Sequence, residues 1–260
     1  MIGLGYRREM ADWDLSATGA DFFEVAPENW LRRDRAPLHR LREGGRPVHL
    51  HGVSLNLGGH SALDPVFLRG VGALMDELGT DRYSDHLAAS GDAHQLYDLF
   101  PIPCTQTEVA RVSGRIRQVQ DVLGRRIAVE NSTWYTNVGD MPEAAFLAAV
   151  AERADCGILL DLNNVAVNQK NHGGLGPAAF VAELDPARVS YLHVAGHEFD
   201  ARFGLHIDTH SQPVEAPVAA LARELQGRHG WPILLEWDND VPDAAVIAQE
   251  LSCLRPFSTT

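Results

Sequence analysis

Short apolar segments recur along this chain, and most of them end in His, Asp or Glu. Residues 127–129 are apolar, partly β-branched, and stop at Glu130. A run of this length and composition is typical of a buried parallel strand. A strand that ends in an acid places its carboxylate at the sheet edge where α/β folds bind their ligands.

Eight segments of this kind predict strands. They cover residues 2–5, 21–25, 47–52, 82–86, 127–130, 157–161, 189–193 and 232–236. Helical patterns follow over residues 64–78, 108–123, 142–153, 217–226 and 244–254, with a helix or turn at 7–15. Eight strands alternating with helices predict one (β/α)₈ TIM barrel over residues 1–260. A doubly wound sheet is the rival, but it rarely carries functional residues on nearly every strand end.

The predicted carboxyl ends of the strands carry a series of polar residues. In chain order they are His51, His86, Glu130, Asp161, Asn164, His193, His197, Asp208, His210, Glu236 and Asp238. Histidine with carboxylate suits zinc, iron or manganese, and the lack of Cys partners argues against a thiolate zinc site. These groups outnumber the ligands of one ion, so a cluster of two or three ions is the economical interpretation.

Single residues in this series have simpler explanations. Asp161 and the amides after it are also typical of a helix N-cap, and Asp208 is also compatible with a turn. The metal hypothesis therefore depends on the whole series. Two further segments at the same edge are candidates for substrate binding or for a solvated surface. They are Tyr6, Arg7 and Arg8, and Glu28, Asn29 and Trp30.

The composition of the chain limits which classes of binding partner and which cellular location are expected. With 22 basic and 35 acidic residues, the net charge of −13 argues against nucleic acid as the main partner. Three cysteines without a CxxC spacing indicate reduced thiols. Neither a signal peptide nor an apolar window of about 20 residues is found. We therefore expect a cytoplasmic protein with no membrane partner.

Several long motifs resemble those of one known family. They read FFEVAPENW, HGVSLNLGG, SDHLA, VQDVLGRRIAVEN, LLDLNNVAVNQKNHG, LHVAGH, IDTHSQPV and LLEWDNDVP. They are similar to the multinuclear non-haem iron-dependent oxidative enzymes, which include the iron-containing subunit of methanobactin biosynthesis. The segments GYRRE and YDLFPIP look closest to a bacterial subgroup that acts on ribosomally made peptides. One member of that subgroup matures a peptide with a C-terminal cysteine toward 3-thiaglutamate.

The resemblance implies a barrel like those of xylose isomerase and endonuclease IV, with two to three iron ions (Fe²⁺/Fe³⁺) and O₂ as co-substrate. It assigns His51, His86 and Glu130 to one iron, Glu130, Asp161, His193 and Glu236 to a second, and Asn164, Asp208 and His210 to a third. His197 and Asp238 are left as candidate catalytic residues. The Asp208-Thr209-His210 step recurs in endonuclease IV, which has histidine where this chain has Asn164.

These points together predict an O₂-dependent oxidase that modifies a cysteine in a ribosomally synthesised precursor peptide during natural-product biosynthesis. A leader-peptide-binding partner protein is expected with it. The alternatives are a metal-dependent hydrolase or phosphodiesterase, a sugar isomerase on the same barrel, and a non-catalytic metal-binding protein. The acidic charge and Asn164 count against a nuclease.

Overall fold

The eight predicted strands pair in parallel around a closed barrel. A computed structural model describes residues 1–92, 99–136 and 139–256. Its strands are β1 (Ile2–Gly5), β2 (Phe22–Val25), β3 (Val48–Gly52), β4 (Tyr83–His86), β5 (Ala128–Glu130), β6 (Gly157–Asp161), β7 (Val189–Val194), β8 (Glu198–Asp200), β9 (Leu205–Ile207) and β10 (Ile233–Leu235). The barrel runs from β1 through β7 in chain order and closes through β10, which pairs with both β7 and β1. The predicted TIM barrel is confirmed.

The helices lie between the strands. They are α1 (Ala36–Arg42), α2 (Pro65–Leu78), α3 (Gln106–Leu123), α4 (Glu143–Ala154), α5 (Leu162–His172), α6 (Pro177–Ala182), α7 (Ala216–His229) and α8 (Ala244–Cys253). Local signals set several of their ends. The Asp64 side chain accepts a hydrogen bond from the Val66 amide at the start of α2, and Gly79 ends that helix in a left-handed conformation. Thr105 caps α3 in the same way as Asp64 caps α2.

The structure differs from the predicted elements in four places. Residues 7–15, predicted as a helix or turn, form a short 3-10 helix, Arg8–Met10, followed by turns, whereas α1, α5 and α6 were not predicted. The first two turns of α5, through Asn168, are buried on all sides. Their sequence therefore lacks the one-sided apolar stripe from which a helix is predicted. The antiparallel hairpin β8–β9 was also missed. Tyr97 and Asp98 of the YDLFPIP motif lie outside the described residues.

The bottom of the barrel interior is apolar. Phe22, Ala128, Leu159, Tyr191 and Leu234 form a small buried cluster there, separate from the larger core between strands and helices. Glycine at position 3 makes room for Phe22, because a Cβ at that position would lie 2.3 Å from its ring. The buried polar side chains of Glu24, His49 and Ser84 lie within the strands, and most of the candidate ligands lie at or just after the carboxyl ends. In the part of the chain that is described, no helix has the length and apolarity needed to span a bilayer.

Candidate metal centre

Glu130 is the centre of the site. It ends β5, is 1% exposed, and its Oε2 lies 3.0 Å from His51 Nε2 and 3.1 Å from His86 Nε2. Its other oxygen lies 3.5 Å from Nδ1 of His193. These contacts arise because Glu130 and His86 are paired in register across β5 and β4, while β3 and β7 bring the other imidazoles to the same level. One carboxylate thus meets three imidazoles.

Glu236 is the second carboxylate of the centre. Its Oε2 lies 3.1 Å from Nδ1 of His193 and 3.6 Å from Nδ1 of His210. The ligand atoms of Glu130, Asp161, His193 and Glu236 all lie within 4.8 Å of one another, and the same holds for His51, His86 and Glu130. The structure therefore brings together both of the first two ligand sets that the sequence suggested.

The third set is also assembled, through a residue that the sequence analysis missed. Nε2 of His210 lies 2.8 Å from Oδ1 of Asp208. The Thr133 hydroxyl lies 2.6 Å from Oδ1 of Asn164 and 3.2 Å from Oδ2 of Asp208, and it can donate to either oxygen. Asp238 joins this region, since its ligand atom and those of His210 and Glu236 lie within 4.8 Å of one another.

Neighbouring groups fix the orientation of the imidazoles. Nδ1 of His86 lies 3.0 Å from the carbonyl oxygen of Gly52, to which it can donate, and this leaves Nε2 free to act as a ligand. Nδ1 of His51 lies 2.9 Å from the Ser84 hydroxyl, which is in turn 2.8 Å from the hydroxyl of Tyr191. Second contacts of this kind set the tautomer and position of metal-binding histidines.

The two carboxylate oxygens of Asp161 have different surroundings. Its Oδ1 accepts a hydrogen bond of 2.6 Å from the backbone amide of Asn164, so it caps α5 as one of the alternatives proposed. Its Oδ2 is buried and has no hydrogen-bond partner among the described residues. The Asn131 side chain, also missed from the sequence, bonds both backbone groups of Asp161 at 2.9 Å. The Asp161 side chain can therefore cap α5 with Oδ1 and still offer Oδ2 to a metal ion.

His197 lies outside the centre. Its Nδ1 is 2.7 Å from Oδ1 of Asn163, whose amide donates to Asp208 at 2.6 Å. Its Nε2 is 2.7 Å from Nζ of Lys170, which also pairs with Glu215. The His197 ring is thus connected to the candidate ligand Asp208 through one intervening amide.

A cavity of about 930 Å³ opens above the centre. Tyr6, Arg8, Asn29 and Trp30, four of the residues proposed to bind substrate, line it together with Arg7. Arg7 has an additional position, because its Nε donates to Asp238 at 2.6 Å and its terminal nitrogen lies 3.2 Å from Glu236. We therefore find Arg7 against the candidate ligands and Arg8 exposed on the wall.

Glu28 does not line this cavity. Its Oε1 accepts a hydrogen bond of 2.8 Å from the amide of Val53, the residue that follows β3. It lies close to Asp85, and burial together with the Glu28 charge raises the pKa of Asp85 to about 8. The structure thus places half-buried Glu28 beside the buried carboxyl group of Asp85 and not among the residues that line the cavity.

The charges at the centre are strongly coupled. Burial opposes the charged form of His51, but the Glu130 carboxylate outweighs it and raises the pKa of His51 to about 9. Burial, with the charges of Glu130 and Asp208, raises the pKa of Asp161 well above its usual value. In contrast, His193 and His210 hold the pKa of Glu236 well below its usual value against burial. The carboxylates compete for positive charge.

The donor set fits a multinuclear metal site. Six carboxyl groups cluster here, belonging to Glu24, Glu130, Asp161, Asp208, Glu236 and Asp238. Three divalent ions carry six positive charges, which would balance six carboxylates once the imidazoles are neutral, and two ions would balance four of them. In the described part of the chain Asp161 Oδ2 is buried without a hydrogen-bond partner, and Glu130 Oε2 and His210 Nε2 meet their neighbours in ion-pair contacts that lack hydrogen-bond geometry. Buried polar atoms are rarely left unpaired, so these atoms fit the role of metal ligands.

Fold and site together define a TIM barrel with a candidate metal centre at the carboxyl ends of its strands. The chain belongs to the RiPP precursor modification enzyme MbnB/TglH/ChrH family, whose model matches residues 1–258; RiPPs are ribosomally synthesised and post-translationally modified peptides. This confirms the family that the sequence motifs indicated. A UPF0276 protein from Neisseria gonorrhoeae (strain ATCC 700825 / FA 1090) is 42% identical over 99% of this chain and 95% of its own length. One from Pseudomonas aeruginosa (strain UCBPP-PA14) is 41% identical over 97% and 90%.

Solved structures with the same fold are more distant. The 3-keto-D-glucoside 4-epimerase YcjR from E. coli matches with a TM-score of 0.64 at 14% identity, over 97% of this chain and 98% of the epimerase. Endonuclease IV from Thermus thermophilus matches with a TM-score of 0.62 at 18% identity, over 97% and 98%. At these identities the likeness shows the fold, which is the xylose isomerase-like and endonuclease IV-like barrel expected from the sequence.

Proposed function

We propose that this chain binds two or three iron ions and uses O₂ to oxidise a cysteine of a ribosomally made precursor peptide. The observation that carries the proposal is the convergence of His51, His86 and His193 on Glu130. Family membership supplies the precursor peptide as the substrate class. Histidine with carboxylate suits iron, and the described ligand groups contain no cysteine.

The protein groups would divide the work in a defined way. His51, His86 and Glu130 would hold one ion, and Glu130 with Asp161, His193 and Glu236 a second. Asn164, Asp208 and His210 would hold a third. Iron bound here would supply a site for the substrate thiolate and for the reduction of O₂.

The residues around the ligands would orient them. Glu24 would hold the orientation of the His193 ring, and Ser84 would hold that of the His51 ring. His197 would hold the Asn163 side chain, which in turn orients the Asp208 carboxylate. We therefore treat His197 as a positioning residue. Asp238, which lies on the cavity between Arg7 and His210, is the better candidate for a proton-transferring group.

The wide cavity would accept an extended peptide segment, because a volume of about 930 Å³ exceeds what one side chain needs. Arg8 and Trp30 on its wall would contact the peptide backbone and side chains. The proposal includes a separate partner protein that binds the leader segment of the precursor peptide. The cavity walls would surround only the peptide segment that carries the reacting cysteine.

The test is elemental analysis of protein purified without chelators, followed by O₂ uptake on addition of a cysteine-containing precursor peptide. We expect two to three equivalents of iron per chain, and O₂ consumption that depends on the peptide cysteine. A serine version of the same peptide is the matched control. Stoichiometric zinc or magnesium after growth in iron-replete medium would instead support a hydrolase or isomerase.

A further inference from the structure

A second cavity of about 500 Å³ lies beside the metal-centre cavity. The segment that follows β5 separates the two, and Ser132 and Thr133 line both. Further walls come from the first turns of α4, from α5, from Phe180 of α6, and from Leu87 and residues 101–104. This volume falls within the range of roughly 300–1,000 Å³ that is usual for small-molecule sites.

The walls of the second cavity are mostly apolar. Leu87, Ile102, Phe146, Leu147 and Phe180 contribute side chains to it. Trp134 adds an aromatic surface, and its ring stacks on His172 with the centroids 4.0 Å apart and the planes 10° from parallel. Such a lining favours an aliphatic or aromatic group.

One carboxyl group lies among these apolar walls. Glu143 Oε2 accepts hydrogen bonds from the indole nitrogen of Trp134 at 2.9 Å and from the side-chain amide of Asn168 at 3.2 Å. Both donors are neutral. Of the described residues that line the cavity, none is Lys or Arg. Burial outweighs the two hydrogen bonds and raises the pKa of Glu143 to about 7.

Glu143 is half-buried, and a carboxylate that loses water without gaining a cation is costly, so a charged partner would relieve that cost. The carboxylates of the metal centre are adjacent to imidazoles and to the proposed ions. Among the described residues, the Glu143 carboxylate bonds only to Trp134 and Asn168, and the His172 ring on the same wall stacks on Trp134. The shared wall offers a further polar atom, because the hydroxyl oxygen of Ser132 is buried and has no hydrogen-bond partner among the described residues. The cavity thus combines apolar walls with an unbalanced acid.

We propose that the second cavity binds an apolar group that ends in a protonated amine, with the ammonium against Glu143. The apolar part would lie along Trp134 and Phe180, and the ammonium would donate to the free lone pairs of the Glu143 carboxylate. Binding of an amine here does not require the metal centre to be an oxidase. Two sources share this chemistry, a small arylalkylamine and the lysine side chain of a peptide.

The test uses the full chain as purified and isothermal titration calorimetry with three probes. Phenethylamine carries the aryl group and the ammonium, 2-phenylethanol replaces the ammonium by a neutral hydroxyl, and Nα-acetyl-lysine amide carries only a side-chain amine. Glu143→Gln removes the charge but keeps the size of the side chain. Glu152→Gln, an exposed acid on the same helix, is the matched control.

We expect at least one of the two amines to bind, and phenethylamine to bind tenfold or more tightly than 2-phenylethanol if the source is an arylalkylamine. Glu143→Gln should weaken amine binding tenfold or more and leave 2-phenylethanol unchanged, while Glu152→Gln should change neither. Tighter binding of the capped lysine assigns a peptide side chain as the source, and tighter binding of phenethylamine assigns a small amine. The proposal is overturned if neither amine binds to the unsubstituted chain, or if Glu143→Gln binds amines equally well. The first result needs no variant, so misfolding of a variant cannot hide it.

Discussion

Glu24 and His193 lie side by side inside the barrel, with Oε1 of Glu24 2.9 Å from Nε2 of His193. The two side chains come from β2 and β7, which are separated around the barrel by β1 and β10, and both are almost completely buried. The other nitrogen of the same ring, Nδ1, faces Glu130 and Glu236. A carboxylate behind a histidine in this way fixes the tautomer that leaves Nδ1 free for a metal.

Replacing Glu24 by Gln should therefore weaken metal binding without removing a ligand. Loss of a hydrogen-bonded partner behind a metal-binding histidine typically costs about 10- to 100-fold in metal affinity. Competition with a chelator of known affinity measures the change, with the exposed acid variant Glu183→Gln as control. An affinity equal to that of the control would show that Glu24 does not position His193.

Glu130→Gln should lose more metal than any other single ligand substitution. Glu130 meets three imidazoles, whereas Asp208 lies beside one, and a neutral amide bridges two ions poorly. Elemental analysis of Glu130→Gln and Asp208→Asn, purified in parallel, measures the difference. Circular dichroism checks that both fold. Iron content near that of the unsubstituted chain would exclude Glu130 as the bridge.

The barrel and most of the candidate site could be predicted from the sequence because buried parallel strands have a simple sequence pattern. A strand buried on both faces is a short apolar run, and its last residue projects at the rim. Glu130, His51 and Glu236 each follow such a run, so their meeting followed from the fold. The strand ends agreed with prediction to within one or two residues.

The missed residues lack that pattern. Glu24 lies inside β2, not after it, and the sign available was an acid within the apolar run FFEV. Thr133 and Asn131 act from a loop whose path is set by tertiary contacts with Asp208 and Asp161. The α5 helix lacks an apolar stripe because its first turns are enclosed on all sides.

Arg8→Ala should weaken binding of the precursor peptide and leave iron content intact. The side chain is exposed on the cavity wall and lies outside the ligand groups. Loss of one charge-assisted hydrogen bond costs about 1.5–3 kcal/mol, or about ten- to a hundredfold in affinity. Peptide titration and iron analysis of the same samples separate the two effects.

Arg7→Ala is the informative comparison. Because Arg7 contacts Glu236 and Asp238, its loss should change iron content as well as peptide affinity. Equal peptide affinity for Arg8→Ala and the unsubstituted chain would mean that Arg8 belongs to a solvated surface. Full iron content in Arg7→Ala would mean that Glu236 does not need its cationic neighbour.

Glu143 should make the stability of the protein depend on pH in a defined direction. Burial raises its pKa in the folded chain from 4.5 to about 7, so the folded state keeps a proton that the unfolded chain has already lost. Stability then falls as pH rises from about 4.5 to 7, and the loss is complete above that range. A shift of this size corresponds to at most about 3 kcal/mol.

Glu143→Gln lacks this titration, so its free energy of unfolding relative to the unsubstituted chain should rise between pH 5 and pH 8. Denaturant unfolding at both pH values measures the difference, and Glu152→Gln provides the baseline for an exposed acid at the same helix. Only a difference between the two variants that grows with pH agrees with a half-buried carboxyl group that has no cation beside it among the described residues. A constant difference would mean that solvent or a neighbouring charge already stabilises the Glu143 carboxylate in the folded chain.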